Sequence, residues 1–204
     1  REGSAPDQVV IDVDVEEQPT GSLGFGASFS SDSGAGLVLS FSESNFLGRG
    51  QSVSFNLNTT DDTGSTQITF TEPSFMARDL SLSLSAFQIT SDQDNSFFST
   101  ERLGARVSLA FPAGENRRLQ FRYEISQDEV FDVDPDSSPI LIAEQGEQTL
   151  SEIGYTYSYD SRRSGLNPNA GVLLSFSQDY AGLGGDIEYI RSTARAIAQT
   201  RVLN

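Results

Sequence analysis

The sequence predicts an all-β protein, an antiparallel up-and-down transmembrane β-barrel present as an incomplete set of about ten strands. Three observations predict it. From Ser22 onward, apolar and polar residues alternate almost without interruption, in segments of roughly the 9 to 11 residues that cross a bilayer when tilted. The connections between segments alternate between acidic and compact. No run approaches the roughly 18 consecutive apolar residues of a membrane helix, so strands are the only crossing elements available.

The first alternating run, Gln8 to Glu17, sets Ile11, Val13 and Val15 against Asp12, Asp14 and Glu16, as expected of a half-solvated strand. Gln18-Pro19-Thr20-Gly21 punctuates it, because proline cannot donate to a ladder and glycine admits unusual dihedrals. A domain boundary is therefore expected near residue 21. The strand from Ser22 to Ser30 carries Leu23, Phe25, Ala27 and Phe29 on one face and Ser22, Gly24, Gly26, Ser28 and Ser30 on the other. Leu37, Leu39 and Phe41 lead into Glu43-Ser44-Asn45-Phe46-Leu47-Gly48-Arg49-Gly50, and Val53, Phe55 and Leu57 resume the alternation, the pattern of a β-hairpin.

The same reading continues through Ile68 and Phe70, then Leu80, Leu82 and Leu84. Phe87 and Ile89 are out of phase with these, which predicts a bulge at Ala86-Phe87. Next come Leu103 to Phe111 against Arg102, Gly104, Arg106 and Ser108, and Leu119 to Ile125 against Arg118, Gln120, Arg122 and Glu124. Ile153, Tyr155, Tyr157 and Tyr159 follow, then Val172, Leu174 and Phe176. The connections at 31–34, 60–64, 91–95 and 127–148 are polar and acidic. Those at 45–50, 72–79, 112–116 and 160–169 are compact and hold the turn arginines. Short turns on one rim and longer loops on the other match outer-membrane barrels.

A soluble sandwich or lipocalin-like barrel would also alternate, with its apolar face inward. Two features favour the membrane barrel. The 13 basic residues are all arginine, leaving no lysines for a solvated exterior, and aromatics gather near strand ends at Phe97-Phe98, Tyr155 to Tyr159 and Tyr180.

Composition narrows function. The chain has no histidine and no cysteine, which removes the commonest general base, the commonest metal ligand and all thiolate chemistry, so no enzymatic activity and no cofactor are expected. A formal charge of -16 argues against nucleic acid as a partner. No secretory pattern follows Arg1-Glu2-Gly3, so an export signal is expected outside this sequence, and the chain reads as a fragment.

Several motifs in series carry a resemblance. Gln18-Pro19-Thr20-Gly21-Ser22, Glu43 to Gly50 and Phe70-Thr71-Glu72-Pro73-Ser74-Phe75 are followed by Tyr159-Asp160-Ser161-Arg162-Arg163, Asn167-Pro168-Asn169-Ala170-Gly171 and Gly182 to Tyr189. In order and spacing they resemble the first part of the barrel in the BamA-type outer-membrane protein assembly factors. The resemblance implies that residues 1–21 end a periplasmic POTRA domain, contributing its last strand, and that residues 22–204 form the N-terminal part of a barrel of about sixteen strands. It implies an outer-membrane location in a Gram-negative bacterium and assembly of other barrels by templated strand pairing. The implied partners are unfolded outer-membrane protein clients, outer-membrane lipid and accessory lipoproteins. The gate strand would be Ser22 to Ser30, at a weak seam where β-augmentation can occur. A polypeptide-secretion transporter or a porin on the same fold is the alternative, with a soluble all-β binding domain behind it.

Two further groups stand out. Arg102, Arg106, Arg118 and Arg122 share the polar face of neighbouring strands and are expected to form lumenal charges with Glu124, or with Glu101 if it points inward. Asp132-Val133-Asp134-Pro135-Asp136 invites a calcium reading, but Ser137 and Ala143 stand where an EF-hand loop needs glycine and glutamate, so a solvated acidic loop is expected.

Overall fold

A computed structural model of the chain describes residues 13–14, 16–30, 34–92, 96–162 and 170–200. They form one ten-stranded sheet in which every strand pairs antiparallel with its neighbours in sequence. The strands are β1 (Gly21–Ser30), β2 (Gly34–Phe46), β3 (Gln51–Thr59), β4 (Thr63–Glu72), β5 (Ser81–Ser91), β6 (Ser99–Gly114), β7 (Arg117–Phe131), β8 (Gly146–Asp160), β9 (Gly171–Ala181) and β10 (Tyr189–Gln199). The sheet is open, with β1 and β10 at its edges. Among the described residues no helix is long and apolar enough to cross a membrane.

The hairpin at 41–53 closes as its residues dictate. Gly48 and Gly50 adopt φ of 73° and 69°, Gly48 N donates to Asn45 O at 2.9 Å, and Gly50 N donates to Asn45 Oδ1 at 2.7 Å. Two expectations need correction. The bulge at Ala86-Phe87 does not form, because β5 pairs with β4 and β6 in unbroken register. Phe87 and Ile89 instead stand on the polar face, opposite Gly104 and Arg102. Irregularities occur between Glu43 and Phe46 and between Pro112 and Gly114. The long acidic connection is also shorter than 127–148, since β7 runs to Phe131 and β8 begins at Gly146. A short helix, α1 (Pro139–Ala143), lies between them.

The strand read over 8–17 falls largely outside the described residues, and Val13, Asp14, Glu16 and Glu17 carry no strand. The chain enters β1 at the compact-turn rim, where Ser44 N and Oγ donate to Thr20 O at 3.1 and 3.0 Å. The connections of the opposite rim carry acidic residues and no basic ones among the described residues, including Asp61, Asp62, Asp134, Asp186 and Glu188.

The sheet buries the reverse of a soluble core. Leu103 is 54% exposed, Ile153 46% and Phe25 87%, whereas Glu124, Glu152 and Asp179 on the other face are 3–4% exposed. Among the described residues no second layer covers those carboxylates. Side chains crowd on a concave face and splay on a convex one, so the polar face is the concave, lumenal side. An apolar convex face and a polar interior are the arrangement of a membrane barrel, and the soluble alternative would invert it.

Candidate lumenal network and edge strand

Ser22 to Ser30 occupy β1, which pairs with β2 from Gly21↔Glu43 to Ser30↔Gly34. Leu23, Phe25 and Phe29 face outward. Gly24 faces Ser40, whose Oγ lies 2.6 Å from where a Cβ would sit, and Gly26 faces Val38, whose Cβ would be 3.9 Å away. The lumenal side of β1 and β2 therefore carries small side chains. Among the described residues no ion pair joins these two strands.

The far half of the sheet is built differently. Arg102 and Arg106 on β6 both reach Glu124 on β7, Arg102 through a hydrogen bond of 2.6 Å. Arg102 Nε also lies 3.3 Å from Asp128 Oδ1. The ring of Phe87 fills the space above Gly104, with the guanidinium carbons of Arg102 and Arg106 5.9 and 5.8 Å from its centroid. The residue out of phase in the sequence thus holds two arginines toward one carboxylate.

A second group spans β7 to β10. Arg122, Gly154 and Asp179 form one row across three strands, and Arg122 passes over Gly154 to pair with Asp179. A Cβ at position 154 would overlap Asp179 Oδ1 and lie 3.0 Å from both Nε and Nη2 of Arg122, so the pair requires glycine there. Arg122 Nη1 also donates to Thr156 Oγ1 at 2.7 Å. Arg191 on β10 bridges Asp179 and Glu152, each at 3.3 Å, and Tyr189 Oη donates to Glu152. Buried charges persist only when paired, and here Asp128, Glu124, Glu152 and Asp179 are matched by Arg102, Arg106, Arg122 and Arg191.

Four of the five predicted lumenal charges therefore belong to this network. Arg118 shares the face but stands toward the compact-turn rim, opposite Pro112 and Ser158, and among the described residues it joins no ion pair. Glu101 points to the other face, where its Oε1 accepts from Gln88 Nε2 at 2.8 Å. Asp128, Glu152, Asp179, Tyr189 and Arg191 were not anticipated. Their signal was a charged residue at a polar alternate of an apolar strand, such as Asp179 between Gln178 and Tyr180. At the compact-turn rim, Arg162 hydrogen-bonds Asp160, which raises its pKa.

The acidic stretch after β7 is a folded turn. Asp134 O accepts from Ser137 N at 2.9 Å, Asp134 Oδ1 accepts from Asp136 N at 2.8 Å, and Asp134 N donates to Phe97 O. Among the described residues no group of three or more ligating side chains could hold a metal ion. The segment 182–188 folds back along the top of β8, with Asp186 N donating to Thr149 O at 2.7 Å and Thr149 N to Asp186 Oδ2 at 2.8 Å. Of the motifs in series, residues 163–169 lie outside the described residues.

Residues 45–203 match the Omp85 superfamily domain. The chain is similar to the outer membrane protein assembly factor BamA of Neorickettsia risticii, with 24% identity over 189 residues covering 92% of this chain and 26% of that protein. It is similar to BamA of Nitratidesulfovibrio vulgaris, with 27% identity over 91% of this chain and 23% of that protein. The SAM50-like protein CG7639 of Drosophila melanogaster is 29% identical over 74% of this chain and 35% of its own length. Among solved structures, BamA from Haemophilus ducreyi lacking POTRA domains 1-3 shares the fold, with a TM-score of 0.70 at 22% identity over 89% of this chain and 37% of that one. The chain spans about a quarter of the length of the bacterial relatives it matches.

Proposed function

This chain belongs to the Omp85 superfamily, and on that premise we propose that it is the N-terminal part of a bacterial outer-membrane barrel that assembles other barrels. It acts without enzymatic chemistry, by pairing client strands at the seam beside β1. The observation that carries this reading is the contrast across the sheet. β1 presents Ser22, Gly24, Gly26 and Ser28 to the lumen and, among the described residues, shares no ion pair with β2, while the ion pairs that lock strands together lie in β6 to β10. Small side chains hold a strand weakly, and an opened edge offers unpaired N–H and C=O groups to an incoming strand.

The acidic rim faces outward, as the longer loops of such barrels do. The compact-turn rim, where the chain enters β1, faces the periplasm, which supports residues 1–21 as the end of a POTRA domain. Unfolded outer-membrane proteins are the clients, outer-membrane lipid is the surroundings, and accessory lipoproteins are the partners.

The test is the paired substitution Gly24→Val and Gly26→Val in the full-length protein. Valine at 26 fits against Val38, and valine at 24 requires Ser40 to rotate. Each new cross-strand pair stabilises β1 against β2 by about 0.2–1 kcal/mol. Client assembly is expected to slow while the barrel itself remains heat-modifiable. Assembly at the original rate would refute the seam mechanism, and polypeptide export with no client assembly would favour a secretion transporter.

A further inference from the structure

The irregularity in the register of β2 has a geometric result at the foot of β1. Two residues, Ser44 and Asn45, stand between Glu43↔Val53 and Phe46↔Gln51, where β3 supplies only Ser52. An extra residue of this kind bends a strand and re-aims its groups. Here Ser44 N and Oγ both turn to Thr20 O, at 3.1 and 3.0 Å, one residue before β1 begins. Glu43 completes the hold. It stands opposite Gly21, its Oε2 lies 2.8 Å from where a Cβ of Gly21 would sit, and it accepts from the Thr20 side chain and, at 2.8 Å, from Asn45 N.

The turn that supplies these groups is itself braced. Asn45 Oδ1 accepts from Gly50 N, and Glu72 on β4 accepts from Gln51 Nε2 at 2.7 Å and from Ser74 N at 3.0 Å, which ties the turn after β2 to the turn after β4. The chain before Thr20 is stiff for a different reason. Pro19 has a fixed φ, and Gln18, as the residue before a proline, is biased to extended conformations. The contacts of Glu43 and Ser44 with the entering chain lie on the β2 side of β1, so they do not depend on what pairs with its other edge.

We propose that Thr20, Glu43 and Ser44 form a clamp that fixes the direction in which the preceding polypeptide leaves the barrel. The clamp rests on the reading above of residues 1–21 as the end of a periplasmic domain. It holds that domain at one angle to the compact-turn rim, and any swing of the domain pivots before Gln18 and leaves the register of β1 with β2 undisturbed. Each hydrogen bond of the clamp contributes little at a solvated rim. Their convergence on one residue, next to a proline, is what removes the backbone freedom of the exit.

The test uses the full-length protein in phospholipid nanodiscs, with spin labels on cysteines introduced at Glu16 and at Glu115, an exposed residue of the 112–116 turn on the same rim. Pulsed electron paramagnetic resonance reads the distance distribution between them. With the clamp intact, one narrow maximum is expected. Glu43→Ala with Ser44→Ala should broaden it about twofold or more, because the freed residues regain backbone freedom, and Pro19→Gly should broaden it as well. Ser42→Ala, on the same strand but outside the clamp, should leave the width unchanged. A distribution that is already broad, or has several maxima, with the clamp intact overturns the proposal and requires no clamp variant to fold. Equal widths with and without the Glu43 and Ser44 side chains overturn it too. A protein that never becomes a heat-modifiable barrel refutes the membrane reading and the clamp with it, whereas a folded barrel with a broad distribution refutes only the clamp.

Discussion

Substituting Gly154 by alanine tests the lumenal network at its narrowest point. Arg122 on β7 reaches Asp179 on β9 only by crossing β8 at this glycine, and an added methyl overlaps Asp179 Oδ1 while crowding Arg122 Nε and Nη2 at 3.0 Å. The ion pair must separate. The side chains of Asp179 and Arg122 are 4% and 16% exposed, so water replaces little of what is lost. Breaking a buried pair outright costs about 3–5 kcal/mol; Asp179 keeps Arg191, so about 2–3 kcal/mol is expected. Urea unfolding of the full-length protein in phospholipid vesicles, followed by the heat-modifiable band, measures it. Arg122→Met should cost a similar amount, and the double variant should cost no more than either single one, because both remove the same contact. A Gly154→Ala protein within about 0.5 kcal/mol of wild type, or strictly additive costs, would refute the reasoning.

Other expectations follow from the same geometry and the same unfolding measurement. Phe87→Ala removes the ring shared by Arg102 and Arg106 and should destabilise the barrel by about 1–2 kcal/mol, with Phe87→Tyr restoring most of it. Glu124→Gln leaves Arg106 without its carboxylate while Arg102 keeps Asp128, and both guanidinium groups are partly solvated, so it should cost about 1–3 kcal/mol, whereas Arg118→Ala should stay within about 0.5 kcal/mol. Asp186→Ala removes the acceptor of Thr149 N while the backbone bonds of segment 182–188 to β8 remain, so amide hydrogen exchange at Thr149 should accelerate about fivefold, the scale of one lost hydrogen bond, with the neighbouring amides of β8 little changed.

The sequence by itself determined β1 to β9, their order, the two chemically distinct rims and, apart from Phe87 and Ile89, which residues share a face, whereas β10 was not read as a strand. The physical reason is local: side chains alternate with period two along a strand, and turns need glycine, asparagine or proline at set positions. Leu23, Phe25 and Phe29 declare their face without reference to any other strand, and so do Arg102, Arg106, Arg122 and Glu124. Phe87 misled the same rule, because a bulge and an aromatic on the lumenal face produce the same local pattern. Only the ring's fit over Gly104, between two arginines from another strand, separates them.

What the tertiary structure alone decided is which charges meet. Asp179 finds Arg122 across 57 residues of sequence, and Tyr189 finds Glu152 across 37. Those pairings depend on the register of strands that are distant in sequence, and a one-residue slip would turn each partner to the opposite face. The same holds for Gly154, whose role exists only because two charged side chains converge over it. The burial of Glu124, Glu152 and Asp179 likewise follows from arginines that reach them from neighbouring strands, an arrangement carried by no single strand.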